Sequence, residues 1–208
     1  LVGWSELQEV DELPSWQPAA RKREHAAYHM YTSGSTGQPK GVCVTDLGIL
    51  RLTIRQDYIS LQTRDVLLLQ SSTAFDASTF EIWGALLNGA KLVIAAPGTP
   101  SVASIKEVVS THGVTVMWLT AALFHIVVEQ DTDALRGVRV LLAGGDALSV
   151  KQVRQYLASA KSWNGVLVNG YGPTEATTFS CCQVLADWDD GWSSVPIGYP
   201  LRFGSAYI

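Results

Sequence analysis

The chain has 208 residues, 47% hydrophobic and 16% charged, and its 15 basic and 19 acidic side chains leave a net charge of −4. That length suits one domain or a tight pair with a core that needs no staples. Cys43, Cys181 and Cys182 show no CxxC spacing, which excludes a disulfide framework and a zinc ribbon, and the negative balance excludes the concentrated basic face of a nucleic-acid binder.

Residues 1–25 are polar, with Pro14, Pro18 and the basic triplet Arg21–Lys22–Arg23, and read as an arm or connector. Ala26–Tyr31 and Gly41–Thr45 read as a hairpin around a Gly/Ser/Thr loop. Asp46 is placed to cap a helix running to about Ser60. Helix and strand signals then alternate. Val66–Gln70 is a strand, Ser78–Asn88 a helix closed by Gly89, Lys91–Ala95 a strand and Pro97–Pro100 a turn. Ser101–His112 is a helix stopped by Gly113, Val114–Leu119 a strand and Ala121–Gln130 a helix. Val138–Ala143 is a strand, Ser149–Ala160 a helix and Gly165–Asn169 a strand. Short apolar strands alternating with helices predict an α/β fold, a mostly parallel sheet flanked by helices.

The polar and glycine-rich clusters fall just after these strands: Phe75–Ser78, Trp118–Thr120, Gly144–Asp146 and Asn169–Glu175. Open α/β sheets bind ligands beyond the carboxyl ends of their strands, so this spacing predicts one binding edge.

The loop Tyr31-Thr-Ser-Gly-Ser-Thr-Gly-Gln-Pro-Lys-Gly41 is the strongest signal. Its glycines free backbone N–H groups to face an anion, and Thr32, Ser33, Ser35, Thr36 and Lys40 add donors. Pro39 stands where a Walker A loop needs glycine. A plain Ser/Gly turn seldom gathers so many donors, so the loop reads as a phosphate site.

This loop, together with Asn169-Gly-Tyr-Gly-Pro-Thr-Glu175 further on, resembles the adenylate-forming enzymes: acyl-CoA synthetases, luciferases and the adenylation domains of nonribosomal peptide synthetases. Phe75-Asp76-Ala77-Ser78 points to the peptide-synthetase branch. The resemblance runs from about Ala26 to Ile208 and implies the flavodoxin-like subdomain of that fold, truncated at both ends. It implies that the subdomains on either side, a ribose-binding aspartate and a catalytic lysine lie outside the chain. The implied reaction joins a carboxylic acid to AMP from ATP, with Mg2+ as cofactor. The implied partners are a phosphopantetheine-bearing carrier protein and other synthetase domains, in a cytoplasmic setting with no membrane or nucleic acid.

By the same resemblance, Thr32, Ser33, Gly34, Ser35, Thr36, Gly37 and Lys40 hold the β- and γ-phosphates. Tyr171 stacks on adenine, Asn169 with the Gly144–Gly145 backbone lines the base, Thr174 meets the α-phosphate region, and Asp146 and Gly172 also belong to the ATP site. Glu175 binds Mg2+; Lys40, Thr174 and Glu175 form the catalytic set. Asp76 pairs with the substrate ammonium, which an acyl-CoA synthetase has no need of, although a simple helix cap is the bland reading. The side-chain pocket is Ala77, Phe80, Trp118, Leu142, Gly144, Gly170, Thr178 and Phe179. A wall without charge beyond Asp76 rejects charged and amide side chains, and its aromatic residues leave little volume, so valine or another small branched aliphatic amino acid is expected.

Two alternatives stay open: an acyl- or aryl-CoA ligase, and a specificity subdomain that binds without turnover. His25 and His29 lack a third metal ligand, His112 suits a helix end, and His125 reads as a packing residue. The cysteines read as core or near-core thiols, and Trp4, Trp16, Trp163, Trp188 and Trp192 as packing residues. Phe203–Ile208 reads as the start of a strand. The charged fraction lies well below the roughly 25% of an average chain, which predicts faces that dock on other subdomains.

Overall fold

The computed structural model describes residues 22, 24–33, 37–185 and 192–207. Gly34, Ser35, Thr36, Trp4, Trp16, Trp188, Ile208 and most of the 1–25 arm lie outside the described residues.

Strands β1 (Ala26–Thr32) and β2 (Lys40–Thr45) form an antiparallel two-stranded sheet, with Thr32 opposite Lys40. Helix α1 (Asp46–Thr53) follows. The main sheet then builds from β3 (Val66–Leu69), β4 (Lys91–Ile94), β5 (Val116–Thr120), β6 (Val140–Gly144), β7 (Val166–Tyr171), β8 (Cys181–Val184) and β9 (Tyr199–Pro200). Its order is β4-β3-β5-β6-β7-β8-β9, parallel through β7 and antiparallel beyond. The helices between strands are α2 (Ala77–Leu86), α3 (Val102–His112), α4 (Ala121–Asp131) and α5 (Val150–Ala160).

Alternation along each strand sends side chains to opposite faces. Leu68, Met117, Leu119 and Leu141 meet α3, α4 and α5 on one face. Leu67, Val116, Trp118, Leu142 and Val168 meet Phe80 of α2 on the other. Both layers of helices are thereby fixed by the two-residue period of the strands, the arrangement expected of buried parallel strands. At the amino edge, Asp65 is 2% exposed. It accepts from Arg139 Nη2 at 2.8 Å and from Thr115 Oγ1 at 3.0 Å, tying the starts of β3, β5 and β6 together.

The alternating elements lie where the sequence places them, with ends shifted by a few residues. Four details differ. Helix α1 stops at Thr53, well before Ser60, and its cap is Thr45, whose side chain accepts from the Gly48 N–H. Tyr58 and Ile59, which a helix running to Ser60 would include, are both buried but lie beyond its end. Arg55 at φ 52 instead turns the chain, and Tyr58 Oη donates to Leu52 O at 2.6 Å. Strands β8 and β9 carry no clear signal in the sequence; they are short and β8 pairs with β9 across a long connection. Residues 201–207 form no strand, and Phe203 sits at φ 66 and 80% exposed. Cys181 and Cys182 are buried as expected, but Cys43 is exposed, because it faces outward between inward-facing Val42 and Val44.

Among the tryptophans outside the motifs, Trp163 meets Tyr156 edge to face and donates to Val138 O, while Trp192 packs on the core. His125 accepts from the Ser149 N–H at 2.9 Å, so it is a partnered packing residue. No helix among the described residues is long and apolar enough to cross a membrane.

Candidate active site

The register aligns Thr120, Gly144 and Gly170 across β5, β6 and β7, so the loops that follow open on one edge. Beside them, the loop after β3 carries Asp76 to the start of α2. This is the edge the spacing predicts.

Gly144 and Gly170 are there for closeness. A Cβ on Gly170 would stand 2.7 Å from the Phe179 ring, and one on Gly144 would stand 2.0 Å from Gly170 O and 2.9 Å from the Trp118 ring. The space that the absent side chains leave is filled by the Trp118 and Phe179 rings, whose centroids are 5.1 Å apart. Phe80 lies 5.9 Å from Phe179, and Leu142 is fully buried beneath them. Phe80, Trp118, Leu142 and Phe179 thus form one buried apolar cluster, which Gly144 and Gly170 let close up and against which Ala77 packs.

Asp76 stands at the N-terminus of α2, but its side chain makes no cap hydrogen bond. Burial pushes its carboxyl up, while the Thr174 hydroxyl and the Thr178 and Ala77 amides pull it back toward the charged form. Thr178 Oγ1 also donates to Asp76 O at 2.7 Å. The carboxylate therefore lies between Thr174 of the Asn169–Glu175 motif and Thr178 of the apolar wall.

That motif ends in a one-turn 3-10 helix, Thr174–Ala176, with Glu175 exposed. Gly172 has no room for a side chain: its Cβ would stand 2.6 Å from both Thr178 O and Ser180 N. Tyr171 is 51% exposed at the end of β7. Asn169 is buried, and its side-chain amide donates to Pro196 O at 2.9 Å, so it also holds the loop before β9. Gly145, in the left-handed region at φ 80, turns the chain after β6. A cavity of about 230 Å³ lies there, lined by Thr120, Ala121, His125, Gly144, Gly145 and Asp146.

Thr32, Ser33, Gly37 and Lys40 sit at the tip of the hairpin, with Gly37 at φ 81. The hairpin reaches the site in two ways. Strand β2 lies against Thr174–Ala176. Tyr28 and Thr79 share a hydroxyl hydrogen bond at 2.6 Å, joining β1 to α2. The donors of the loop and the Asp76 helix are therefore parts of one assembly. Gly34, Ser35 and Thr36 lie outside the described residues.

A magnesium site fits this residue set in one form. Among the described residues, no group of three His, Cys, Asp or Glu is placed to hold a metal. Mg2+ is commonly held by one or two carboxylates and substrate phosphates, and exposed Glu175 beside the hairpin supplies such a carboxylate.

Sequence reasoning missed the supports. Glu81 is 1% exposed and accepts from Ser71 N at 3.1 Å and Ser71 Oγ at 3.0 Å, pinning the start of the Asp76 loop. Arg51 of α1 donates to Ala176 O, and to Phe179 O at 3.1 Å. No spacing marks either residue, because each acts on a backbone group outside its own element.

The Gly144–Asp146 and Asn169–Glu175 clusters thus share one sheet edge with the Asp76 carboxylate, above a buried apolar cluster. The AMP-binding enzyme family matches residues 2–208, and the chain belongs to it. It is 50% identical over 187 residues to a linear gramicidin synthase polypeptide of Brevibacillus parabrevis, covering 89% of this chain and 2% of the synthase. It is 40% identical to surfactin synthase subunit 3 of Bacillus subtilis (strain 168), covering 88% of this chain and 14% of that one. Among solved structures, PA1221, an NRPS protein containing adenylation and PCP domains, matches with TM-score 0.83 at 41% identity, covering 92% of this chain and 39% of that one. The Klebsiella oxytoca NpsA N-terminal subdomain in complex with 3-hydroxyanthranilyl-AMSN matches with TM-score 0.81 at 30% identity, covering 95% and 50%. The chain is therefore an adenylation-domain segment of the peptide-synthetase type, spanning a small part of the curated synthetases it matches.

Proposed function

We propose that this segment belongs to an enzyme that activates valine, or another small branched aliphatic amino acid, as an aminoacyl-adenylate. The adenylate then loads a phosphopantetheine thiol of a carrier protein in the cytoplasm. The placement of Asp76 carries the reading: a half-buried carboxylate at a helix N-terminus, between Thr174 and Thr178, beside an apolar patch. An α-ammonium seated there finds a charge partner that its desolvation demands. A branched alkyl group finds Phe80, Trp118 and Phe179, and no polar side chain beyond Thr178 to leave unpaired.

In the proposed reaction a substrate carboxylate oxygen bonds to the α-phosphorus, the bond to the oxygen bridging the α- and β-phosphorus atoms breaks, and pyrophosphate leaves with that oxygen. Attack on a polyanion needs positive charge, and Mg2+ held by Glu175 would supply it. Thr32, Ser33 and Lys40, with Gly34, Ser35, Thr36 and Gly37 of the same loop, hold the β- and γ-phosphates. Thr174 orients the α-phosphate, Tyr171 stacks on adenine, and Asn169 and Gly144–Asp146 line the base. The exposed face of Tyr171 and the cavity beside Gly145 support the last two roles.

The test is amino-acid-dependent pyrophosphate exchange by the adenylation domain carrying this segment, across the twenty amino acids. Valine, isoleucine or leucine is expected to lead, and Asp76→Ala to lower exchange by at least about 100-fold, the scale of an ammonium left buried without its partner. Exchange driven by an acid with no α-ammonium, unchanged in Asp76→Ala, would sink the reading.

A further inference from the structure

Between the motif that ends at Glu175 and the pocket wall that starts at Thr178 the chain makes one sharp turn. Thr177 sits at φ 58 and Thr178 at φ 66. For a β-branched residue that region is a true outlier, because Cβ crowds the carbonyl oxygen. Two such residues in succession persist only where their surroundings hold them.

Helix α1 does the holding. Gly48 faces the turn with no side chain, and a Cβ there would stand 2.6 Å from Thr177 Oγ1. One helical turn later, on the same face, the Arg51 guanidinium donates to Ala176 O and Phe179 O, the carbonyls on either side of the strained pair. Arg51 is half-buried, and burial lowers its pKa from the usual arginine value. Within the turn, Thr177 N–H donates to Thr174 O at 3.0 Å and Phe179 N–H to Thr177 O at 2.9 Å.

We propose that Arg51 is a positioning residue that holds the nucleotide motif and the amino-acid pocket in one register. It touches neither substrate. By bridging Ala176 O and Phe179 O it fixes the strained turn, and with it Thr174 and Glu175 on one side and Thr178 and Phe179 on the other. A lysine cannot replace it, because a guanidinium forks to two carbonyls and an ammonium is a single point of charge. Losing the clamp displaces groups serving both substrates at once. This inference rests on the amino-acid-adenylating reading above.

The test uses pyrophosphate exchange by the adenylation domain carrying this segment, with kcat and KM measured for both ATP and the amino acid. The unsubstituted protein tests the functional reading by itself: no exchange with any amino acid overturns that reading, and this inference with it. Given an active parent, Arg51→Met and Arg51→Lys are expected to lower kcat/KM for ATP and for the amino acid together. The loss should be about 100-fold, the penalty a misplacement near 1 Å can carry. Thr177→Gly relieves one of the two strained positions that the clamp opposes. It should leave the parent within about threefold and recover at least about tenfold of the loss when combined with Arg51→Met, because glycine accepts positive φ freely. Circular dichroism and melting curves accompany each variant. Wild-type constants in Arg51→Met, a loss confined to one substrate, or a loss that Thr177→Gly does not recover would each overturn the proposal, the last by assigning Arg51 to general stability.

Discussion

Glu81 is the most consequential buried group outside the site. Burial raises its carboxyl from 4.5 to about 7, against the pull of Ser71 Oγ, the Ser71 N–H and the Gln70 N–H. A folded value above the unfolded one means that the native state binds the extra proton. Its contribution to stability is therefore full below pH 4.5 and is lost as pH rises through 7. A shift of that size corresponds to roughly 3 kcal/mol across the window. Urea unfolding at pH 5 and pH 8 is expected to show the protein less stable at pH 8 by a sizeable part of that difference. Glu81→Gln should remove that part of the slope; an unchanged slope would assign the pH dependence to other groups. Tyr156 offers the opposite case. Its hydroxyl is buried with no hydrogen-bond partner among the described residues, and burial alone pushes its pKa up. An unsatisfied buried hydroxyl costs about 1–3 kcal/mol. Tyr156→Phe is thus expected to raise the melting temperature, and a fall would show that the hydroxyl has a partner in solution.

Whether an element is legible in the sequence depends on how local its cause is. Helix α3 is legible at both ends because its signals are its own. Ser101 and Ser104 form a capping box, and Gly113 closes the helix at φ 63. Helix α1 is shorter than its sequence suggests because its end is set by Tyr58 and Ile59 entering the core, a tertiary fact. Strands β8 and β9 escape notice because they exist by pairing with β7 and with each other. The same division holds in the site. The loop and the clusters after the strands stand out by composition and position, with their roles implied by resemblance, whereas Glu81 and Arg51 act through backbone groups of other elements. Two glycines turn this into an experiment. A Cβ on Gly113 meets nothing within 4 Å, so Gly113→Ala adds only backbone strain, about 1 kcal/mol, and should leave exchange kinetics unchanged. A Cβ on Gly172 meets Thr178 O and Ser180 N at 2.6 Å, both backbone atoms that cannot swing aside. Gly172→Ala should displace the turn and cost at least about tenfold in kcat/KM, since small misplacements in a site are costly. Equal kinetics for the two variants would contradict this account.

At the scale of the whole molecule, the chain is two sheets of unequal strength that meet at the site. The main sheet and the helices covering both its faces together hold most of the fully buried side chains. Among the described residues the hairpin sheet buries Val42 and Val44, which pack with Ile49 of α1, and partly covers Ala27, Tyr28 and Trp83. Few buried apolar contacts and exposed backbone place a segment at the low end of local stability. The loop proposed to hold the phosphates is therefore carried on the part of the fold that opens most easily. Its polar tie to α2, and so to Asp76, is the Tyr28–Thr79 hydrogen bond. That bond contributes about 1 kcal/mol net, and Tyr28→Phe also leaves the buried Thr79 hydroxyl short of its partner. Native-state hydrogen exchange should accordingly show the amides of residues 26–45 opening before those of β5, β6 and β7. Tyr28→Phe should speed exchange in 26–45 by about tenfold while leaving the central strands unchanged, since about 1.4 kcal/mol is a factor of ten. If the central strands speed up equally, the hairpin and the main sheet unfold as one unit, and the Tyr28–Thr79 bond is part of a single cooperative fold instead of a hinge between two.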